Sequence, residues 1–140
     1  MVDLVQIFNS CKTIAIVGLS PKLDRASYGV AHYMQEHGYR IIPINPNAAA
    51  SNTKILGEKS YISLEDAAKY EQIEMVNCFR NSIDIPPIAD AAIAIGAKVL
   101  WMQLGIENTV ARKKSEMNGL TVIENLCLKI EHRRLKSVLN

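Results

Sequence analysis

Five short apolar runs punctuate the chain, at residues 13–18, 39–44, 74–79, 98–103 and 120–124. Each is apolar almost without a break, not at alternate positions. Runs of that kind predict parallel strands buried on both faces. Between them, apolar residues recur at helical spacing. Leu4, Val5, Ile7, Phe8 and Cys11 predict a short helix ahead of the first strand, and Val30, Ala31, Tyr33 and Met34 predict one after it. Ser27 is placed to cap that second helix, which ends at His37-Gly38, with His37 near its C-terminus. Residues 47–60 read as an irregular loop behind the turn Asn45-Pro46-Asn47. Ser63 starts a short helix to about residue 70, Pro86 and Pro87 open one over 88–95, and Gly119 closes a polar one over 108–118. A last helix is expected over 126–135.

Strands alternating with helices, joined by right-handed crossovers, predict an α/β fold. The expected architecture is a Rossmann-like, doubly wound, five-stranded parallel sheet with helices on both faces. The expected strand order is 3-2-1-4-5, with the first strand central. Residues 1–140 read as a single domain without repeats or linkers. Ligands of such sheets bind at the carboxyl ends of the strands, where the winding reverses. That puts the crevice between the loops after Gly18 and after Phe79. The other strand ends that can complete it are Asn45-Pro46, Gln103-Leu104-Gly105 and Glu124-Asn125.

The loop from Gly18 to Tyr28 carries the most specific chemistry. A strand that turns through Gly and small polar residues onto a helix N-terminus presents free backbone N–H groups and a helix dipole to an anion. Lys22 and Arg25 add positive charge, although either could be a solvated loop residue. A phosphorylated ligand follows. The dinucleotide pattern G-x-G-x-x-G is not met, because Leu19-Ser20-Pro21 follows Gly18. The second strand ends in Asn45-Pro46 and lacks the acidic residue that holds the ribose of NAD. A neutral end tolerates a phosphate on that ribose, as in NADP and coenzyme A.

Composition narrows the class. Sixteen Lys+Arg against fourteen Asp+Glu give a net charge of +2, too slight to imply nucleic acid. No apolar run approaches the roughly 20 residues of a membrane helix, and the N-terminus reads as no signal peptide. The three cysteines, Cys11, Cys78 and Cys127, form neither a disulfide framework nor a metal pair. A reducing cytoplasm is the expected compartment.

The segments Ile16-Val17-Gly18-Leu19-Ser20-Pro21-Lys22, Asp24-Arg25-Ala26-Ser27-Tyr28, Pro43-Ile44-Asn45-Pro46, Phe79-Arg80, Trp101-Met102-Gln103-Leu104-Gly105 and Cys127-Leu128-Lys129-Ile130-Glu131-His132 together resemble the small stand-alone CoA-binding proteins. Those are relatives of the CoA-binding domain of succinyl-CoA synthetase, and the resemblance covers roughly residues 10–135. It implies a Rossmann-like domain that binds coenzyme A or an acyl-CoA as carrier, sensor or regulatory module. By that resemblance, Gly18, Ser20, Lys22, Arg25 and Ser27 contact the CoA phosphates. Asn45 and Pro46 border the adenosine, Phe79 and Arg80 line the other wall, and Gln103 and Gly105 form the far rim. Members often carry Pro where this chain has Leu23 and Ala26, which implies a more mobile loop here. They often carry a basic residue where this chain has Leu126.

The strand ends show no acid, base or nucleophile set, and no metal ligands, so a binding module is the leading expectation. An NADP-dependent oxidoreductase, or another nucleotide-binding enzyme, is the alternative. A protein partner or a second copy of the chain stays open. None of His32, His37 and His132 inherits the phosphohistidine of the synthetase, and His132 beside Glu131 reads as a surface pair. Trp101 and Cys78 read as core, and Arg80 could instead pair with Asp84. Cys127, at the start of the last helix, reads as packing or, under oxidation, as a partner for the CoA thiol in a mixed disulfide.

Overall fold

The computed structural model describes residues 2–140. Five parallel strands form its sheet: β1 Thr13–Val17, β2 Arg40–Ile44, β3 Met75–Cys78, β4 Val99–Met102 and β5 Thr121–Ile123. The helices are α1 Leu4–Ser10, α2 Ala26–Glu36, α3 Pro46–Ala50, α4 Leu64–Ala68, α5 Ile85–Ala94, α6 Thr109–Met117 and α7 Leu128–Leu135. The stretch expected to be a loop thus begins with the short helix α3. Asn45 caps it, its Oδ1 accepting from Ala48 N–H at 3.0 Å, and Pro46 sits in its first turn, where a missing N–H costs nothing.

The strand order is β2-β1-β3-β4-β5, which corrects the expected 3-2-1-4-5. The reason lies at the edge of β2. Pro43 interrupts its N–H row, and proline is confined to sheet edges. The segment after α3 then returns along that edge. Tyr61 bridges to Ile44, Tyr61 N–H donates to Pro43 O at 3.0 Å, and Asn45 N–H donates to Tyr61 O at 3.0 Å. With this side taken, β3 pairs with the free side of β1, Val17 opposite Cys78.

Successive side chains alternate across the sheet. Ala15, Val17, Ile42, Val76, Cys78, Leu100 and Met102 pack with Leu64 of α4, Ala89 of α5 and Ala111 of α6. Ile14, Ile16, Ile41, Met75, Val99 and Trp101 pack with Phe8 of α1, Met34 of α2 and Leu128 of α7. Trp101 is core, as expected, and fully buried. Its ring lies 5.7 Å from that of Phe8, and its Nε1–H donates to Leu126 O at 2.8 Å, tying β4 to the start of α7. Cys78 is sealed in β3, and burial pushes its thiol up to about 12, which leaves it inert. His37 is the C-cap of α2, its Nδ1 2.7 Å from Tyr33 O.

His132 is not the expected surface residue. It is 4% exposed, its Nδ1 lies 2.9 Å from the Tyr33 hydroxyl, and the edges of Phe8 and Tyr39 close around it. Glu131 pairs with Arg134 instead. Burial, with His37, Lys12 and Lys136 nearby, holds the His132 imidazole below its usual value.

Candidate functional site

β1 delivers Gly18 to the carboxyl edge of the sheet, and β3 delivers Phe79 and Arg80 beside it. Gly18 N–H donates to Ile44 O at 3.0 Å on one side, and Phe79 N–H donates to Val17 O at 2.9 Å on the other. A Cβ on Gly18 would stand 2.3 Å from Phe79 O, and Gly18 has a φ of +88°. Only glycine meets both demands. The two loops expected to flank the crevice are therefore adjacent, at the point where the observed strand order reverses.

Beyond Gly18 the chain is organised by its own polar atoms. Ser20 N–H donates to Ser27 Oγ at 3.0 Å, Lys22 N–H to Ser20 Oγ at 3.1 Å, and Arg25 N–H to Lys22 O at 3.1 Å. Asn45 Nδ2 donates to Leu19 O at 2.9 Å, so its two amide ends clamp the loop to β2 and cap α3. Ser27 is not the cap of α2. Arg25 holds that position in extended conformation with no side-chain bond, because α2 begins at Ala26 and the Ser27 hydroxyl is turned back to Ser20. Among the described residues, nothing accepts from the first-turn N–H groups of Ala26 and Ser27 or from the N–H of Leu19. An uncapped first turn is positive and offers donors to an anion.

Three cations surround this opening. Lys22, Arg25 and Arg80 are exposed, and among the described residues none pairs with a carboxylate within 4.0 Å; Arg80 does not pair with Asp84. Arg80 reaches over Gly18, its Cδ 3.5 Å from the position of the missing Cβ. It also lines a cavity of about 410 Å³ with Val17, Ile44 and Pro46. The other walls come from Ile62, Ser63, Leu64 and Glu65 at the start of α4, and from Asp84, Pro87, Ile88 and Ala91 around α5. The sequence reading missed these wall residues. The capping triplet Ser63-Leu64-Glu65 was legible, but its approach to β2 depends on the Tyr61 return.

The structure thus gathers Gly18, Ser20, Lys22, Arg25, Ser27, Asn45, Pro46, Phe79 and Arg80 around one end of β1 and β3. Gln103 and Gly105 stand apart, beyond the end of β4, and do not line the cavity. Gln103 is 3% exposed, and its Nε2 donates to Asn77 Oδ1 at 3.2 Å. Gly105 N–H donates to Asn125 Oδ1 at 2.6 Å, which ties the loop after β4 to the one after β5. Cys127 is a half-buried free thiol at the cap of α7, again without a side-chain cap bond. Among the described residues, no helix is long and apolar enough to cross a membrane.

Comparison with known proteins gives this geometry its setting. The chain is 38% identical over 130 residues to the uncharacterized protein YneT of Bacillus subtilis (strain 168), covering 93% of this chain and 92% of that protein. A solved structure of a hypothetical protein from Pyrococcus horikoshii OT3 is 37% identical, with a TM-score of 0.87 over 94% of this chain and 88% of that one. A structure from Thermus thermophilus is 29% identical, with a TM-score of 0.88 over 94% of this chain and 96% of that one. The CoA binding domain family matches residues 12–133. With the anion-ready turn at the reversal of a doubly wound sheet, and with that match across nearly the whole chain, the protein belongs to the CoA binding domain family.

Proposed function

We propose that the protein binds coenzyme A, free or acylated, at the carboxyl ends of β1, β3 and β4, and serves as a carrier, sensor or regulatory module. The observation that carries this reading is the uncapped start of α2 beside Gly18, with three unpaired cations around it. In this reading the Leu19, Ala26 and Ser27 amides receive the pyrophosphate. Lys22, Arg25 and Arg80 neutralise it and the 3′-phosphate. The largely apolar cavity beside Pro46 and Arg80 takes the adenosine, and the remainder of the ligand runs past Phe79 toward Gln103 and Gly105. Asn45 contributes indirectly, by holding Leu19 in place.

Calorimetric titration with CoA, acetyl-CoA, dephospho-CoA, NADP and NAD tests the reading. CoA is expected to bind, dephospho-CoA more weakly, and Arg25→Ala and Arg80→Met each to lose about tenfold, the scale of one charge-assisted hydrogen bond. Rising salt should weaken binding further. Binding of NADP without CoA would move the protein to the reductase class, and no binding by any of the five overturns the reading.

A further inference from the structure

Asn77 is the anomaly of the core. It sits in the middle of β3, fully buried, opposite Ile16 of β1 and Trp101 of β4. Its neighbours in that layer are apolar, so its carboxamide carries a desolvation cost that only hydrogen bonds can offset. Among the described residues its side chain makes a single bond, accepting from Gln103 Nε2 at 3.2 Å, and its own Nδ2 has no partner. A half-satisfied amide is a poor element of stability, since an apolar side chain of the same shape serves as well or better.

What the amide does accomplish is to orient Gln103. With Nε2 committed to Asn77, Gln103 has its carbonyl Oε1 left to offer. Among the described residues that oxygen receives no donor and, unlike Asn77 Nδ2, it is not sealed from solvent. Gln103 directly follows β4, bonded to Asn77 and on the sheet face that Phe79 shares, one strand beyond the crevice. A fixed acceptor at this place fits an N–H donor. If the phosphates lie on the α2 turn and the adenosine in the cavity, the part of CoA left to reach Gln103 is the pantetheine arm, which carries two amide N–H groups.

We infer that Gln103 Oε1 accepts a hydrogen bond from a pantetheine amide of the ligand, and that Asn77 is the positioning residue that aims it. The inference rests on the CoA reading and adds to it a division of labour. The α2 turn recognises any phosphorylated adenosine, whereas the Asn77–Gln103 pair distinguishes a ligand bearing pantetheine.

The test compares CoA with adenosine 3′,5′-bisphosphate, which lacks the arm, on the wild type, Gln103→Leu, Asn77→Leu and the double variant, with thermal unfolding of each. Gln103→Leu should bind CoA about tenfold more weakly and the bisphosphate unchanged, the scale of one oriented hydrogen bond. Asn77→Leu should reproduce that selective loss while folding with undiminished stability, and the double variant should lose no more than Gln103→Leu alone. Asn77→Leu failing to fold, or losing both ligands alike, would assign Asn77 a merely structural role and overturn the proposal. So would unchanged CoA affinity in the variants while the wild type binds CoA. A wild type that binds no CoA at all overturns the underlying reading, and the proposal with it.

Discussion

Gly18→Ala is the sharpest perturbation of the β1–β3 junction. The new methyl group acts in two ways. It forces a side chain onto a residue with φ +88°, which costs about 1–2 kcal/mol. It also puts a carbon 2.3 Å from Phe79 O, where carbons do not come within 3.0 Å, so β1 and β3 must part at their carboxyl ends. Overpacking of this order costs about 1–3 kcal/mol. The sum, about 2–5 kcal/mol, is a large share of the roughly 5–15 kcal/mol that holds a domain together. Gly38→Ala supplies the control. Gly38 has a φ of +89°, but nothing lies within 4 Å of its missing Cβ. It should therefore show the backbone cost alone. Urea unfolding of the two variants isolates the close approach as the difference between them, about 1–3 kcal/mol at unchanged slope. CoA affinity should fall in Gly18→Ala, whose displaced Phe79 and Arg80 border the crevice, and stay put in Gly38→Ala. Equal destabilisation by the two substitutions would refute the packing argument.

Two further outcomes follow from the geometry. Asn45→Ala removes both the Leu19 clamp and the α3 cap; a loss of about 1–3 kcal/mol in urea unfolding, with weaker CoA binding, is expected. His132 titrates below the usual 6.5 when folded, so the unfolded chain binds more protons over that window. Its contribution is complete above pH 6.5 and is lost as pH falls through the folded value. His132→Asn should be less stable at pH 7.5 but show a flatter decline to pH 5 than the wild type, and parallel declines would contradict the assignment.

The strands were legible because a sheet covered on both faces needs nearly unbroken apolar runs, and Ile14–Val17 or Val99–Met102 can serve little else. Gly18 was legible for the same reason, standing where an apolar run stops. The position of β3 was not, because order depends on which edge of β1 and β2 is free, and that was decided by Tyr61 far along the chain. Pro43 was the available signal that β2 lies at an edge. Ser27 misled because its spacing from the helix suits a cap, whereas its hydroxyl is claimed by Ser20, seven residues back. His132 misled because Glu131, Arg133 and Arg134 surround it in sequence. Its four-residue spacing from Leu128, also buried, marks the inward stripe of α7. The cavity wall of Ile62 to Glu65 was hidden by the same long-range return that set the strand order.

That return also bears on how the protein survives at high concentration. An open strand edge is a template on which another chain can add itself and begin an aggregate. Here the outer side of β2 is shielded twice, by Pro43, which has no N–H to give, and by Tyr61, which occupies the backbone groups on either side of Ile44. The opposite edge, β5, is only three residues long. Segment 58–63 therefore guards solubility as well as shaping one wall of the cavity, and loops grafted or shortened there should be judged first by whether the protein stays monodisperse.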